Sequence, residues 1–278
     1  MAAMSDLLYT TPYPDTNAAL SRAINRLQAQ YGLDLTAVYL LGSLEMDDYV
    51  PDWSDIDGLV VLARPAEPLS EEAEAEGVKL HLPVYTLAQL RQPDWRTNPF
   101  GMYGMLALME YGRLLWGTDI RHLLIVPGFP SVRAYMVAEI ARVIRERPLD
   151  LPVRAPQGVG GPRYQDKSVE LVNWLFYPAR VLFILETAHV GSKTMAVEHY
   201  TRHHFDAWEV WLRWADAYRH LSDRPPLTPK ERRQLALAVQ DFFWDVVNFI
   251  LLGLGYDPET LTTDEAVVEA LETYLRTA

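Results

Sequence analysis

Hydrophobic positions along the chain change their period near residue 98. Residues 16–31 set Leu20, Ile24 and Leu27 at helical spacing, with Thr16 as a candidate N-cap and Gly32 as the stop. Residues 36–41 (TAVYLL) and 58–63 (GLVVLA) are short aliphatic or β-branched runs between turn residues, and these predict two core strands. Between them lies an acidic loop with Glu45, Asp47, Asp48 and Asp52. Pro65 to Gly77, which includes EEAEAEG, predicts a solvated helical or irregular connection. The run VKLHLPVYTL at 78–87 then predicts a third strand, placed at an edge by Pro83.

Beyond Asn98 the apolar stripes follow helical periods, over 99–115, 131–147, 166–188, 194–202, 205–221, 228–252 and 263–276. The Pro- and Gly-rich stretch 148–165 breaks that periodicity and predicts a mobile loop. The organisation expected is α+β: a small mixed-sheet domain over residues 1–125, then an all-helical bundle over 126–278.

Composition narrows the function classes. The 278 residues are 49% hydrophobic, enough for a sizeable core, and cysteine is absent, which removes disulfides and thiolate metal sites. No uninterrupted apolar run approaches the roughly 20 residues of a membrane helix, and the N-terminus lacks the pattern of a signal peptide. A soluble cytoplasmic protein with no membrane partner is the expectation. The formal charge of −12 disfavours nucleic acid as a partner, since phosphate tracking relies on clustered Lys and Arg. A neutral or cationic small partner suits that charge better.

The chemistry concentrates in LLGSLEMDDYVPDWSDIDGLVVL at 40–62. Side chains alternate in an extended strand, so Asp55 and Asp57 project to one side about 6 to 7 Å apart. Two carboxylates that close repel, and a divalent cation with oxygen ligands relieves the repulsion, Mg²⁺ being the usual one beside phosphates. A solvated turn would show the same pair, but Gly42-Ser43 after a core strand adds a close backbone approach and a hydroxyl suited to a phosphate oxygen. Gly-Ser, a loop, and Asp-x-Asp leading a strand resemble the signature of the nucleotidyltransferase superfamily with the DNA polymerase β fold.

The resemblance extends toward aminoglycoside adenylyltransferases of the streptomycin/spectinomycin type, which have a helical C-terminal domain. YGRLLWGTDI at 111–120 looks like that family's helix ending in a Leu-x-Gly-x-Asp turn, and residues 177–200 look like its helix, Gly turn, Ser-Lys and following helix. The resemblance implies that Asp55 and Asp57 hold Mg²⁺, that Gly42, Ser43, Ser192 and Lys193 serve the triphosphate, and that Ser192 caps the helix after it. It implies a cleft between the domains, ATP as substrate, AMP transfer to a hydroxyl of a small cationic acceptor, and a role in antibiotic resistance.

This family carries a third carboxylate on the next strand, whereas here Lys79, His81, Pro83 and Tyr85 share that face. Three explanations stay open. His81 acts as base, a neutral imidazole being a competent one; an acidic group such as Glu110, Glu139, Glu170 or Glu186 arrives from a helix; or transfer is lost and nucleotide binding survives. AMP transfer to a protein hydroxyl is a further alternative.

Two other clusters have a structural and a chemical reading. Trp208, Trp211 and Trp214 recur every three residues, which suits core packing, or one wall of an acceptor pocket with Asp206 and Glu209 as charge. His199 and His203 have the i, i+4 spacing of metal ligands, but without a third ligand a solvated helix end is the expectation for them and His204. The acceptor and the oligomeric state are not written in the sequence.

Overall fold

A computed structural model describes residues 7–66, 72–75, 78–146 and 167–277. The chain divides into two compact units, Met1–Gly128 and Phe129–Ala278.

The first unit opens with helix α1 (Pro14–Tyr31). Its start differs from expectation. Pro14 takes the first helical position, where its missing N–H costs nothing, and Thr16 lies buried within the helix. The incoming chain is held instead by Asn17, whose Nδ2 donates to the Thr11 carbonyl at 2.8 Å while its Oδ1 accepts from Thr11 N at 2.7 Å. Gly32 ends the helix at φ +51°, in the left-handed region.

Strand β1 (Leu35–Leu41) is central. It runs antiparallel to β2 (Ile56–Leu62) on one side and to β6 (Arg113–Gly117) on the other. On its far side β2 pairs in parallel with β4 (Val78–His81) and then β5 (Val84–Thr86). The expected third strand is therefore one run broken at Leu82-Pro83, where the Pro83 carbonyl accepts from Val60 N at 2.9 Å. Outermost is β3 (Glu72–Ala75), antiparallel to β4. The mixed sheet has the order β3-β4-β2-β1-β6, with β5 beside β2.

Both central strands are nearly continuous apolar runs because both faces are covered. Val38, Leu40, Ile56, Val60 and Leu80 pack on the α1 side with Leu20, Ile24 and Leu27. Ala37, Tyr39, Leu41, Leu59 and Val61 pack on the other with Leu90 from the short α2 (Leu87–Leu90) and Met105 and Leu108 from α3 (Gly101–Tyr111).

Two expectations are corrected. The EEAEAEG stretch was expected to be a solvated helical or irregular connection, but Glu72–Ala75 is a strand. The helix expected to reach residue 115 ends at Tyr111, and Arg113–Gly117 turns back as β6. Gly117 makes that return possible: at φ +89°, a Cβ there would sit 2.2 Å from the Thr36 carbonyl oxygen.

Among its described residues the second unit is helical: α4 (Phe129–Glu146), α5 (Lys167–Thr187), α6 (Lys193–His203), α7 (Trp208–Arg219), α8 (Pro229–Gly253) and α9 (Asp264–Thr277). The stretch 148–165 expected to be a mobile loop lies outside the described residues. Helix α5 packs against α8 and α6, and α4 against α9. Three helices meet at Arg219, which is fully buried. Its Nε donates to Asp216 at 3.0 Å, its Nη2 donates to Thr194 at 2.7 Å, and its guanidinium lies 5.7 Å from the Phe176 ring centre.

Helix α8, opened by a reciprocal Thr228–Glu231 cap, is by length and composition apolar enough to cross a membrane, an 18-residue window of it having a mean hydropathy of 1.6. Over half of that apolar window is buried in the unit, including Phe242, Phe243, Val247 and Leu251, as in the core helix of a bundle. The fold is α+β, a mixed-sheet unit followed by a helical one.

Candidate functional site

The site is assembled where β1 ends and β2 begins. Leu41 pairs with Asp57, so the turn leaving β1 passes directly over the carboxylate entering β2. That turn is the short helical segment Gly42–Leu44. Gly42 sits at φ +71°, and a Cβ on it would lie 2.5 Å from Asp57 Oδ2. Only glycine meets both demands, the left-handed backbone and the close approach to a carboxylate.

The loop that follows is built rather than slack. Glu45 N and Met46 N donate to the Gly42 carbonyl at 3.2 Å, Asp48 N donates to the Ser43 carbonyl at 2.9 Å, and Val50 N donates to Ser54 Oγ at 3.1 Å. Val50 and Trp53 are buried and pin it from below. Asp47 and Asp52 adopt positive φ, a conformation that Asp tolerates better than most side chains. Glu45 was only one of the loop's charges in the sequence. Its side chain proves almost fully buried, with Oε2 3.1 Å from Arg113 Nε and Oε1 buried without a hydrogen-bond partner. Burial pushes this carboxyl above the usual range, against the hydrogen bond from Arg113.

Strand β4 supplies the other half. Parallel register pairs Asp57 with His81 and Ile56 with buried Leu80. His81 Nδ1 is 3.8 Å from Asp57 Oδ1, too long for a hydrogen bond, and Lys79 Nζ donates to Asp55 Oδ2 at 3.0 Å. The side chains of Asp55 and Asp57 are 42% and 47% exposed, so the carboxylate pair stays open to solutes, whereas that of Lys79 is only 22% exposed. The structure thus gathers Gly42, Ser43, Asp55, Asp57, Lys79 and His81 at one end of the sheet. The pairing of Lys79 with Asp55 is what sequence reasoning missed, because it depends on parallel register between distant segments. Beyond β4, the backbone register sets Glu72 opposite His81 and Glu74 opposite Lys79.

On the α3 face of the sheet, Tyr39 OH donates to Asp119 Oδ1 at 2.9 Å and accepts from Ile120 N at 2.7 Å. Arg121 closes on the same carboxylate and donates to the Gly112 carbonyl at 2.9 Å. These bonds hold the Asp119 carboxyl well below the usual carboxylate range, chiefly through Arg121.

Ser192 and Lys193 belong to the second unit. Ser192 is the N-cap of α6, its Oγ accepting from Met195 N at 3.1 Å, and Lys193 is the first residue of that helix. Glu186 is already engaged: His199 Nε2 lies 2.6 Å from its Oε2 and His204 Nε2 3.0 Å from its Oε1. Those two imidazoles are mostly buried, which corrects the expectation of a solvated helix end for them, whereas His203 is exposed. Trp208 stacks on Phe242 in the core and donates to Asp245 at 2.8 Å, while Trp211 and Trp214 line a groove of about 310 Å³ with Val210, Leu227, Glu231, Gln234 and Leu235.

Among the described residues no three His, Asp or Glu side chains are grouped as a metal centre. Mg²⁺ does not need three from the protein, since it is held by one or two carboxylates plus substrate phosphates and water. Two exposed carboxylates beside a turn that only glycine can make are consistent with that mode.

No family model matches the chain, and neither does any curated protein sequence. The fold is shared with a solved structure. The crystal structure of spectinomycin adenyltransferase AAD(9) from Enterococcus faecialis with ATP and spectinomycin superposes with a TM-score of 0.57 at 13% identity, covering 82% of this chain and 98% of that one. A nucleotidyltransferase-like protein from Exiguobacterium sibiricum covers 82% of this chain and 75% of its own at 15% identity, with a TM-score of 0.30. The chain has a nucleotidyltransferase-like fold.

Proposed function

We propose that the chain is an adenylyltransferase that moves AMP from MgATP to a hydroxyl of a small cationic, aminoglycoside-like acceptor. The observation that carries this reading is the Asp55–Asp57 pair leading β2, with Asp57 held against the Gly42 turn, within a nucleotidyltransferase-like fold. That AAD(9) was solved with ATP and spectinomycin supports the choice of nucleotide and acceptor class.

In this reading Asp55 and Asp57 would hold Mg²⁺, which when bound would supply positive charge to offset that of the phosphates. The Gly42-Ser43 turn receives phosphate oxygens on its backbone N–H groups and hydroxyl. The acceptor oxygen bonds to the α-phosphorus as the bond to the β-phosphate bridging oxygen breaks, and the acceptor proton passes to His81. For Ser192 and Lys193, a role at the triphosphate rests on the resemblance of residues 177–200 alone.

Calorimetric titration of ATP with Mg²⁺, repeated in EDTA and with Asp55→Ala, tests the site. Metal-dependent binding that disappears in the folded variant is expected; binding retained in Asp55→Ala rules out the carboxylate clamp. His81→Ala should abolish pyrophosphate release while ATP affinity is kept, and unchanged turnover would exclude it as base. One observation favours a second reading, nucleotide binding without transfer: β4 brings Lys79 and His81, not a carboxylate, to Asp55 and Asp57. Metal-dependent ATP binding with no pyrophosphate release across an aminoglycoside panel would select it.

A further inference from the structure

Glu45 is a charge that the fold holds at a loss. Its side chain is 3% exposed, and its ion-pair partner among the described residues is the half-exposed Arg113, whose Nε donates to Oε2 at 3.1 Å. Burial outweighs that bond and raises the carboxyl's proton affinity in the folded chain, so ionised Glu45 subtracts from stability near neutral pH. Stability therefore does not account for the pair.

Its place in the chain does. Register sets Arg113 opposite Leu40, two residues before Gly42. Arg113 is itself well anchored: its guanidinium lies 4.9 Å from the Tyr9 ring centre, and the Gly112 carbonyl just before it accepts from Arg121 at 2.9 Å. Leu8 N donates to the Leu115 carbonyl at 3.0 Å, which fastens the segment carrying Tyr9 to β6. On the other side of the pair, Glu45 N donates to the carbonyl of Gly42, the glycine whose turn passes over Asp57. We propose that Glu45 is a positioning residue, which through Arg113 ties the Gly42-Ser43 turn to β6 and so sets the N–H groups and hydroxyl that meet the nucleotide's phosphates. The inference rests on the proposed reading of that turn, and it gives the buried charge a purpose in binding rather than in folding. Its action is indirect, through the backbone of the turn.

The test titrates ATP with Mg²⁺ calorimetrically into the full chain, as wild type, Glu45→Gln, Arg113→Met and the double variant, and takes a denaturant midpoint for each. Glu45→Gln keeps the volume and removes the charge. It is expected to match or exceed the wild-type midpoint while binding ATP about tenfold more weakly, the scale on which supporting residues act. Arg113→Met should weaken ATP to the same extent and also lower the midpoint, since it strands a buried carboxylate. The double variant should bind as weakly as Glu45→Gln alone, because both substitutions break one linkage. A pair that served stability alone would do the reverse, with Glu45→Gln lowering the midpoint or abolishing the fold, or with the folded variants keeping wild-type affinity; either result overturns the inference. So does a Glu45→Gln that binds ATP more tightly while Arg113→Met binds it more weakly, the pattern of an arginine that meets phosphate directly. None of these results touches the reading of the site, whereas a wild type that binds no ATP with Mg²⁺ overturns both.

Discussion

Gly42 is the residue on which the site's geometry turns. An added methyl group meets two separate penalties there, the left-handed backbone at φ +71° and a carboxylate oxygen 2.5 Å away. The backbone penalty alone is about 1 to 2 kcal/mol for a residue with a Cβ. Gly42→Ala should therefore lower the denaturant midpoint and also weaken metal-dependent ATP binding by displacing Asp57. Gly32→Ala is the matched control: φ is +51°, nothing lies within 4 Å of its Cβ, and stability should fall with ATP affinity unchanged. If both variants keep wild-type affinity, the turn does not position Asp57. Gly42, Ser43 and the two carboxylates were legible in the sequence, because a turn glycine, a hydroxyl and an alternating pair of acids are all local patterns. Buried Glu45 was not, since a loop glutamate gives no local sign of lying beneath its own loop.

Among the elements, those whose environment is written in their own residues were the legible ones. β1 and β2 are covered on both faces and read as apolar runs; the C-terminal helices carry stripes that survive long interruptions. β3 and β6 depend on partners. Glu72–Ala75 consists of good helix formers and becomes a strand only because β4 offers it an edge. Arg113–Gly117 continues the apolar character of α3, and the close pass of Gly117 over Thr36 turns it into the sheet. The Tyr39–Asp119–Arg121 clasp then fastens the end of β6 to β1, a contact across eighty residues of sequence. Because Asp119 is held ionised in the folded state, its contribution is complete above the ordinary carboxylate pKa near 4 and declines as pH falls below it. The stability gap between wild type and Asp119→Asn, read from denaturant midpoints, should accordingly be constant near neutrality and shrink below about pH 4. A gap that widens in acid would contradict the clasp.

For the whole molecule, charge and the order of the chain matter most. A formal charge of −12 gathers cations from solution before any contact forms. Affinity for a polycationic aminoglycoside should fall as ionic strength rises from 0.01 to 0.15 M, the screening length shrinking from about 30 to 8 Å, while a neutral polyol is unaffected. Salt-insensitive binding would confine the attraction to direct contacts. Helix α8 has a different consequence, felt during synthesis. The sheet of the first unit is complete once Gly117 has left the ribosome, but α5 has to wait for α8, the helix against which Tyr177 stacks on Phe243. Domains tend to fold as units while the chain emerges. A ribosome paused between residues 187 and 229 would thus display a finished sheet followed by an apolar helix still without its α8 partner, and chaperone occupancy along the message should peak over that interval.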